Sequence, residues 1–176
     1  SSIALVMCGA IVWALGHSSV SADATNRLEH SRDRIRELAA EGTDPSNGRP
    51  LEDVSTVLRV HIQRTAEGPG EAELGFVGTS SDTELTWVSS DNVSFRPEKD
   101  AKLLKHVTSR AAASESVIET VRTPSSSYRV LVVPVQGGSQ HGALVHVIDL
   151  KVAESQLRRT MAFYAAAAVF TVALVT

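Results

Sequence analysis

Apolar and polar positions change their rhythm several times along this chain. The first sixteen residues, SSIALVMCGAIVWALG, and the last sixteen, MAFYAAAAVFTVALVT, carry no charge, and the stretches between them have ordinary mixed polarity. From residue 21, SADATNRLEHSRDRIRELAAEG is rich in helix formers and repeats apolar positions at Ala24, Leu28, Ile35 and Leu38, with Ser31 filling the polar position of the same seam. The spacing predicts a helix stopped by Gly42. TDPSNGRP (43–50) collects turn formers and reads as a loop. Leu51, Val54, Leu58 and Ile62 then recur at spacings of 3, 4 and 4. That predicts a second helix, with Pro50 at its start and Glu52 and Asp53 in a first turn whose dipole favours acids.

Beyond the break at Glu67-Gly68-Pro69-Gly70, AELGFVGT (72–79) and TELTWVSS (83–90) read as a hairpin around Ser80-Ser81-Asp82. Pro97, with Glu98 and Asp100, opens a third helix carrying Leu103, Leu104 and Val107, with Lys102, Lys105, His106 and Arg110 towards its end. SVIETVRT (116–123), SYRVLVVPV (127–135) and HGALVHVIDL (141–150) predict an antiparallel meander. The order helix, helix, two strands, helix, three strands, helix gives the α+β class with a five-stranded antiparallel sheet. Leu150, Ala153, Leu157, Met161, Tyr164 and Ala168 recur at spacings of 3, 4, 4, 3 and 4, so one helical face runs from the last strand into the terminal apolar run.

An uncharged run of sixteen residues reaches about 24 Å as a helix, short of the roughly 30 Å hydrocarbon core. The expectation is two truncated transmembrane helices, 1–16 and 161–176, flanking an extracytoplasmic domain at 17–160, in a multi-pass protein of the cell membrane. Arg158 and Arg159 would mark the lipid headgroup boundary. Ala22-Asp23-Ala24 resembles a processing site, so the first run reads either as a retained helix or as a cleaved secretory signal.

The chain has 176 residues and a net charge of −3, with no basic stripe, which argues against a nucleic-acid partner. Cys8 is the only cysteine, so neither an internal disulfide nor a cysteine-based metal site is possible. No G-x-S-x-G, H-E-x-x-H or calcium-loop pattern occurs, and the six histidines are scattered. No catalytic residue and no metal ligand is expected. For ligand binding the candidates are Arg122, Tyr128 and Arg129, around one turn between strands, with Arg96 near Trp87 and Phe95 as a further one. Arg clamps carboxylates bidentately and an aromatic neighbour walls a pocket. His146 shares its strand face with Leu144 and Ile148 and reads either as a satisfied core histidine or as a ligand contact. Glu67, Glu71 and Glu73 read as a solvated turn. Leu28 and Ile35 on the first helix, with Leu150 and Leu157 on the last, are the candidate helix-coupling positions.

The paired apolar runs, the charged helix after the first, YRVLVVPV with its internal Pro134, HGALVHVIDL and KVAESQLRRT together resemble the N-terminal sensor regions of bacterial two-component sensor histidine kinases. The resemblance implies a PAS-like fold of the PDC or Cache kind, a homodimer in the lipid bilayer, and a small-molecule or envelope signal. It also implies a cytoplasmic kinase part, beyond this sequence, that uses ATP and Mg and passes phosphate to a response regulator. His30 in LEHSRDR lacks the Thr-Pro that follows that family's phosphoacceptor, so no kinase residue falls within these residues. The same architecture on a chemotaxis receptor or cyclase, or on a non-signalling envelope scaffold, remains the alternative.

Overall fold

A computed structural model describes residues 2–175 except 45, 80, 81, 91, 92 and 138, with side chains between 19 and 166. Helix α1 (Ser2–Glu41) is followed by α2 (Val54–Arg64), strands β1 (Glu71–Thr79) and β2 (Asp82–Val88), α3 (Ala101–Ala111), β3 (Val117–Arg122), β4 (Ser127–Gly137), β5 (Gln140–Asp149) and α4 (Leu150–Val175). The α+β class and the five antiparallel strands are as the sequence predicts.

Two helix starts differ from expectation, for the same reason. The Asp53 carboxylate accepts from Thr56 N at 2.6 Å, so α2 begins at Val54 and leaves Pro50, Leu51 and Glu52 outside it. Pro97 opens a separate 3₁₀ turn (Pro97–Lys99), and Asp100 caps α3 by accepting from Lys102 N and Leu103 N. In each case an aspartate that satisfies orphan N–H groups sets the boundary, not the nearby proline.

The strand order is β2-β1-β5-β4-β3, which puts β5 in the middle. Its alternate residues feed two cores. Leu144 and Ile148 join Leu131 and Val133 of β4 under α1 and α2. Ala143, Val145 and Val147 join Val130 and Val132 of β4 and Leu74 and Phe76 of β1 under α3. Gly142 lets α2 lie flush on this strand, because a Cβ there would sit 2.5 Å from Phe76 O and 2.6 Å from Val54 Cγ1. Gly142→Ala should therefore cost about 1–3 kcal/mol through overpacking, read as a lower urea midpoint.

The α1 seam belongs to this core. Ala24, Leu28, Ser31, Ile35 and Leu38 are all buried against the chain's own sheet, with Leu28 at 0 % and Ile35 at 1 % exposure. Both candidate coupling positions on α1 thus face inward and are not free to pair with a second copy. Leu150 is half-buried and packs on the same cluster, and Leu157 is half-buried where α4 runs beside α1.

From Arg158 to Ala166 the side chains of α4 are exposed, including Met161 at 42 %, Phe163 at 73 % and Tyr164 at 67 %. Among the described residues no helix is long and apolar enough to cross a membrane. The side chains of 1–16 and 167–176, on which the two expected spans depend, lie outside the described residues.

Candidate functional site

A polar cluster lies inside the core beneath α1. Glu71 and Glu73 stand two apart on β1 and so share a face, and the antiparallel register opposes Glu73 to His146 of β5. Around Glu73 Oε1, Ser31 Oγ of α1 donates at 2.9 Å, His61 Nε2 of α2 lies at 3.3 Å, and His146 Nδ1 lies at 3.3 Å. His146 Nε2 is 3.7 Å from Glu71 Oε2, and Arg27 of α1 reaches Glu71 Oε1 at 2.6 Å. Glu73 and Ser31 are 0 % exposed, His146 2 % and His61 5 %. Four elements therefore meet on one carboxylate.

The expectation of a solvated acidic turn is overturned here. The turn ends at Gly70, whose φ is +75°, and pairing with β5 begins at Glu71, which carries both following acids under α1. Glu67, still in the turn, is half-buried and accepts from Ser89 Oγ and from Glu73 N.

Burial opposes the ionisation of Glu73, but His146 first and then His61 outweigh it and hold the carboxyl well below the usual carboxylate range. The His146 ring, against the cost of burial and with help from Arg27, also keeps Glu71 low. Burial disfavours charge on His146, yet the carboxylates of Glu71 and Glu73 overcome it and raise the ring to about 9. Glu67 moves the other way: burial pushes it up, and the Glu73 charge adds to this against the Ser89 hydrogen bond. Neither ring nitrogen of His146 has a hydrogen-bond partner, and Glu73 Oε2 has none. Attraction between charges, not directional bonding, holds the ring in place.

Two grooves flank the cluster. One, of about 580 Å³, runs along α1 past His30 and Arg34 and reaches Glu71 and His146. The other, of about 550 Å³, lies between α1 and α4, with Asn26 and Arg27 on one wall and Gln156 and Leu157 on the other.

The sequence candidates for ligand binding do not converge on these grooves, apart from His146. Tyr128 is buried on the α3 side, stacked on Phe95 with centroids 6.0 Å apart, and donates to Asp100 Oδ2 at 3.1 Å. Burial, with the Asp100 carboxylate beside it, pushes its hydroxyl up to about 12. Its neighbour Arg129 necessarily points to the opposite face, where it donates to Thr120 Oγ1 at 2.8 Å and Thr25 Oγ1 at 3.3 Å. Arg122 is exposed. Arg96 pairs with Glu98 at 2.8 Å, and Trp87 donates to Ser55 on the other side of the sheet from Phe95. Tyr128 is thus a core residue with a satisfied hydroxyl, and the alternation of β4 separates it from the arginine proposed as its partner.

Ser31, His61, Glu71, Glu73 and Arg27 escaped the sequence reading as a group. The available signals were a serine in an otherwise apolar helical seam and two glutamates spaced to share one strand face. Chemically, the cluster can hold α1 to the sheet and can bind or release a proton. Among the described residues no three His, Cys, Asp or Glu side chains are arranged to hold a metal ion. No protein-family model matches the chain, and no curated protein matches it.

Proposed function

We propose that the chain is the signal-sensing region of a membrane-bound sensor histidine kinase, with a PAS-like α+β domain whose message leaves through α4. The observation that carries this reading is the junction of β5 and α4. The central strand ends at Asp149 and the helix begins at Leu150, with no residue between them. Asp149 fixes the joint: its N–H donates to Gly70 O at 2.8 Å, and its carboxylate accepts from Lys151 N at 2.9 Å and Ser126 Oγ at 2.7 Å. A displacement of β5 is therefore carried into the direction of α4 without a compliant linker to absorb it.

Two further features support the reading. α1 and α4 pack side by side as the first and last elements of the domain. Met161, Phe163 and Tyr164 expose apolar surface on α4 that nothing among the described residues covers, a surface suited to lipid. A homodimer of the kind the resemblance implies would use faces of α1 and α4 other than the one holding Leu28 and Ile35. The cytoplasmic partner would be a response regulator, and ATP and Mg would serve the kinase part.

The experiment is autophosphorylation of the natural full-length gene product in nanodiscs with labelled ATP and Mg. Acid-labile, base-stable phosphate on a histidine is the expected result. Its absence, with ATP binding intact or not, would count against a kinase output.

A further inference from the structure

We propose that Arg27, Glu71, His146 and Glu73 form a latch that holds α1 against the sheet while the His146 ring is charged and loosens α1 when that ring loses its proton. This holds whatever output domain follows α4.

The four groups alternate in sign. Arg27 meets Glu71 at 2.6 Å, Glu71 meets His146 at 3.7 Å and His146 meets Glu73 at 3.3 Å. Both ends of the series return to α1, through Arg27 itself and through Ser31, which donates to Glu73. Two cations face two anions, so the series is electrically complete and requires no bound ion. The other titratable groups facing the ring are His61 of α2, beside Glu73, and Glu67 of the α2–β1 connection. Across the groove stand His30, Asp33, Arg34 and Glu37 of α1, and β4 sets the apolar Leu131 directly opposite His146, with Arg129 two residues along on the same face, turned to Thr25 and Thr120.

Deprotonation leaves two buried carboxylates against one neutral ring, and Glu73 Oε2 already lacks a partner. Relief comes from water, and the groove brings solvent as far as Glu71 and His146. The covering element that must yield for water to reach Glu73 is α1. Ala24, Leu28, Ile35 and Leu38 still favour contact with the sheet, so the response is a local loosening and not global unfolding.

The sign follows from linkage. The carboxylates raise the ring to about 9 when α1 is docked, and the ring returns towards about 6.5 once it is solvated. The latch is intact below pH 6.5 and is lost as pH rises through about 9. The opening constant of α1 should then increase roughly 40-fold between pH 7 and pH 9.

Hydrogen exchange on the full chain in detergent micelles, corrected for intrinsic rates from pH 6 to 10, tests this. Amides of 24–38 should show the 40-fold rise, while amides of β4 and β5 change several-fold less. His146→Gln should remove the pH dependence of α1 opening. A flat α1 profile, or α1 and sheet amides rising in step, would overturn the latch. Should His146→Gln fail to fold, titration of the ring by NMR in the wild type decides. A ring that titrates near 6.5 contradicts the proposal, and one near 9 that tracks α1 opening supports it.

Discussion

Glu73→Ala is expected to destabilise the domain by about 3–5 kcal/mol, measured as the shift in urea unfolding at pH 7. The carboxylate is fully buried, and its removal leaves His146 charged in the core with Glu71, 3.7 Å away, as its nearest carboxylate, and leaves Ser31 Oγ without its acceptor. Most of that loss is the cost of stranding its partners and not the worth of the pair. The double variant Glu73→Leu with His146→Leu should accordingly recover much of the stability, because well-packed apolar side chains replace a buried ion pair at little cost. If the double variant is as unstable as Glu73→Ala, the loss is not the cost of stranded partners, and the ion pair itself contributes net stability. The pH profile has two limbs. Glu71 and Glu73, held below their ordinary values, contribute stability above about pH 4.5 that is lost as pH falls through their native range. His146 contributes stability that is complete below pH 6.5 and is lost as pH rises through about 9, on the order of 3 kcal/mol in all.

Leu28→Ala should cost about 2–5 kcal/mol. Leu28 is 0 % exposed at the middle of the α1 seam, in one cluster with Ile148 of β5 and Leu131 of β4, so the truncation opens a cavity where α1 meets the central strand. The neighbouring Glu29→Ala, on the exposed side of the same helix, should lie within about 0.5 kcal/mol of wild type. Comparable losses at both positions would mean that α1 contacts a partner through its outer face. A negligible loss at Leu28 would mean that α1 does not dock on the sheet in solution.

The elements themselves were legible because β4 and β5 are short apolar runs rich in β-branched residues and bounded by turn formers, while apolar positions recur every 3 to 4 residues through α1, α2 and α4. The class follows from their order. What could not be read was the use made of the α1 seam. Apolar residues at Ala24, Leu28, Ile35 and Leu38 suit a coiled-coil partner and a sheet equally well, and the choice depends on where the β1–β2 hairpin docks. Here it docks on β5, which brings Glu73 beneath Ser31. The same long-range step hid the polar cluster, since its members come from residues 27 to 146 and only the register of β1 against β5 unites them. Conversely, Arg122, Tyr128 and Arg129 looked convergent because they are close in sequence, whereas a strand sends adjacent side chains to opposite faces. The helix starts were misread by the residues nearest a proline, because an Asp cap decides where the N–H groups are satisfied.

Helix α1 is tied through Glu73 to the strand that becomes α4, so the state of that tie should alter how the two helices lie against each other. The direct measurement is the distance between spin labels at Glu29 of α1 and Arg158 of α4, both exposed, in the full chain reconstituted in nanodiscs on a Cys8→Ser background. A narrow distribution at pH 7 that shifts or broadens at pH 9.5, with Glu73→Gln already in the altered distribution at pH 7, is the predicted result. An identical distribution under all three conditions would contradict the coupling.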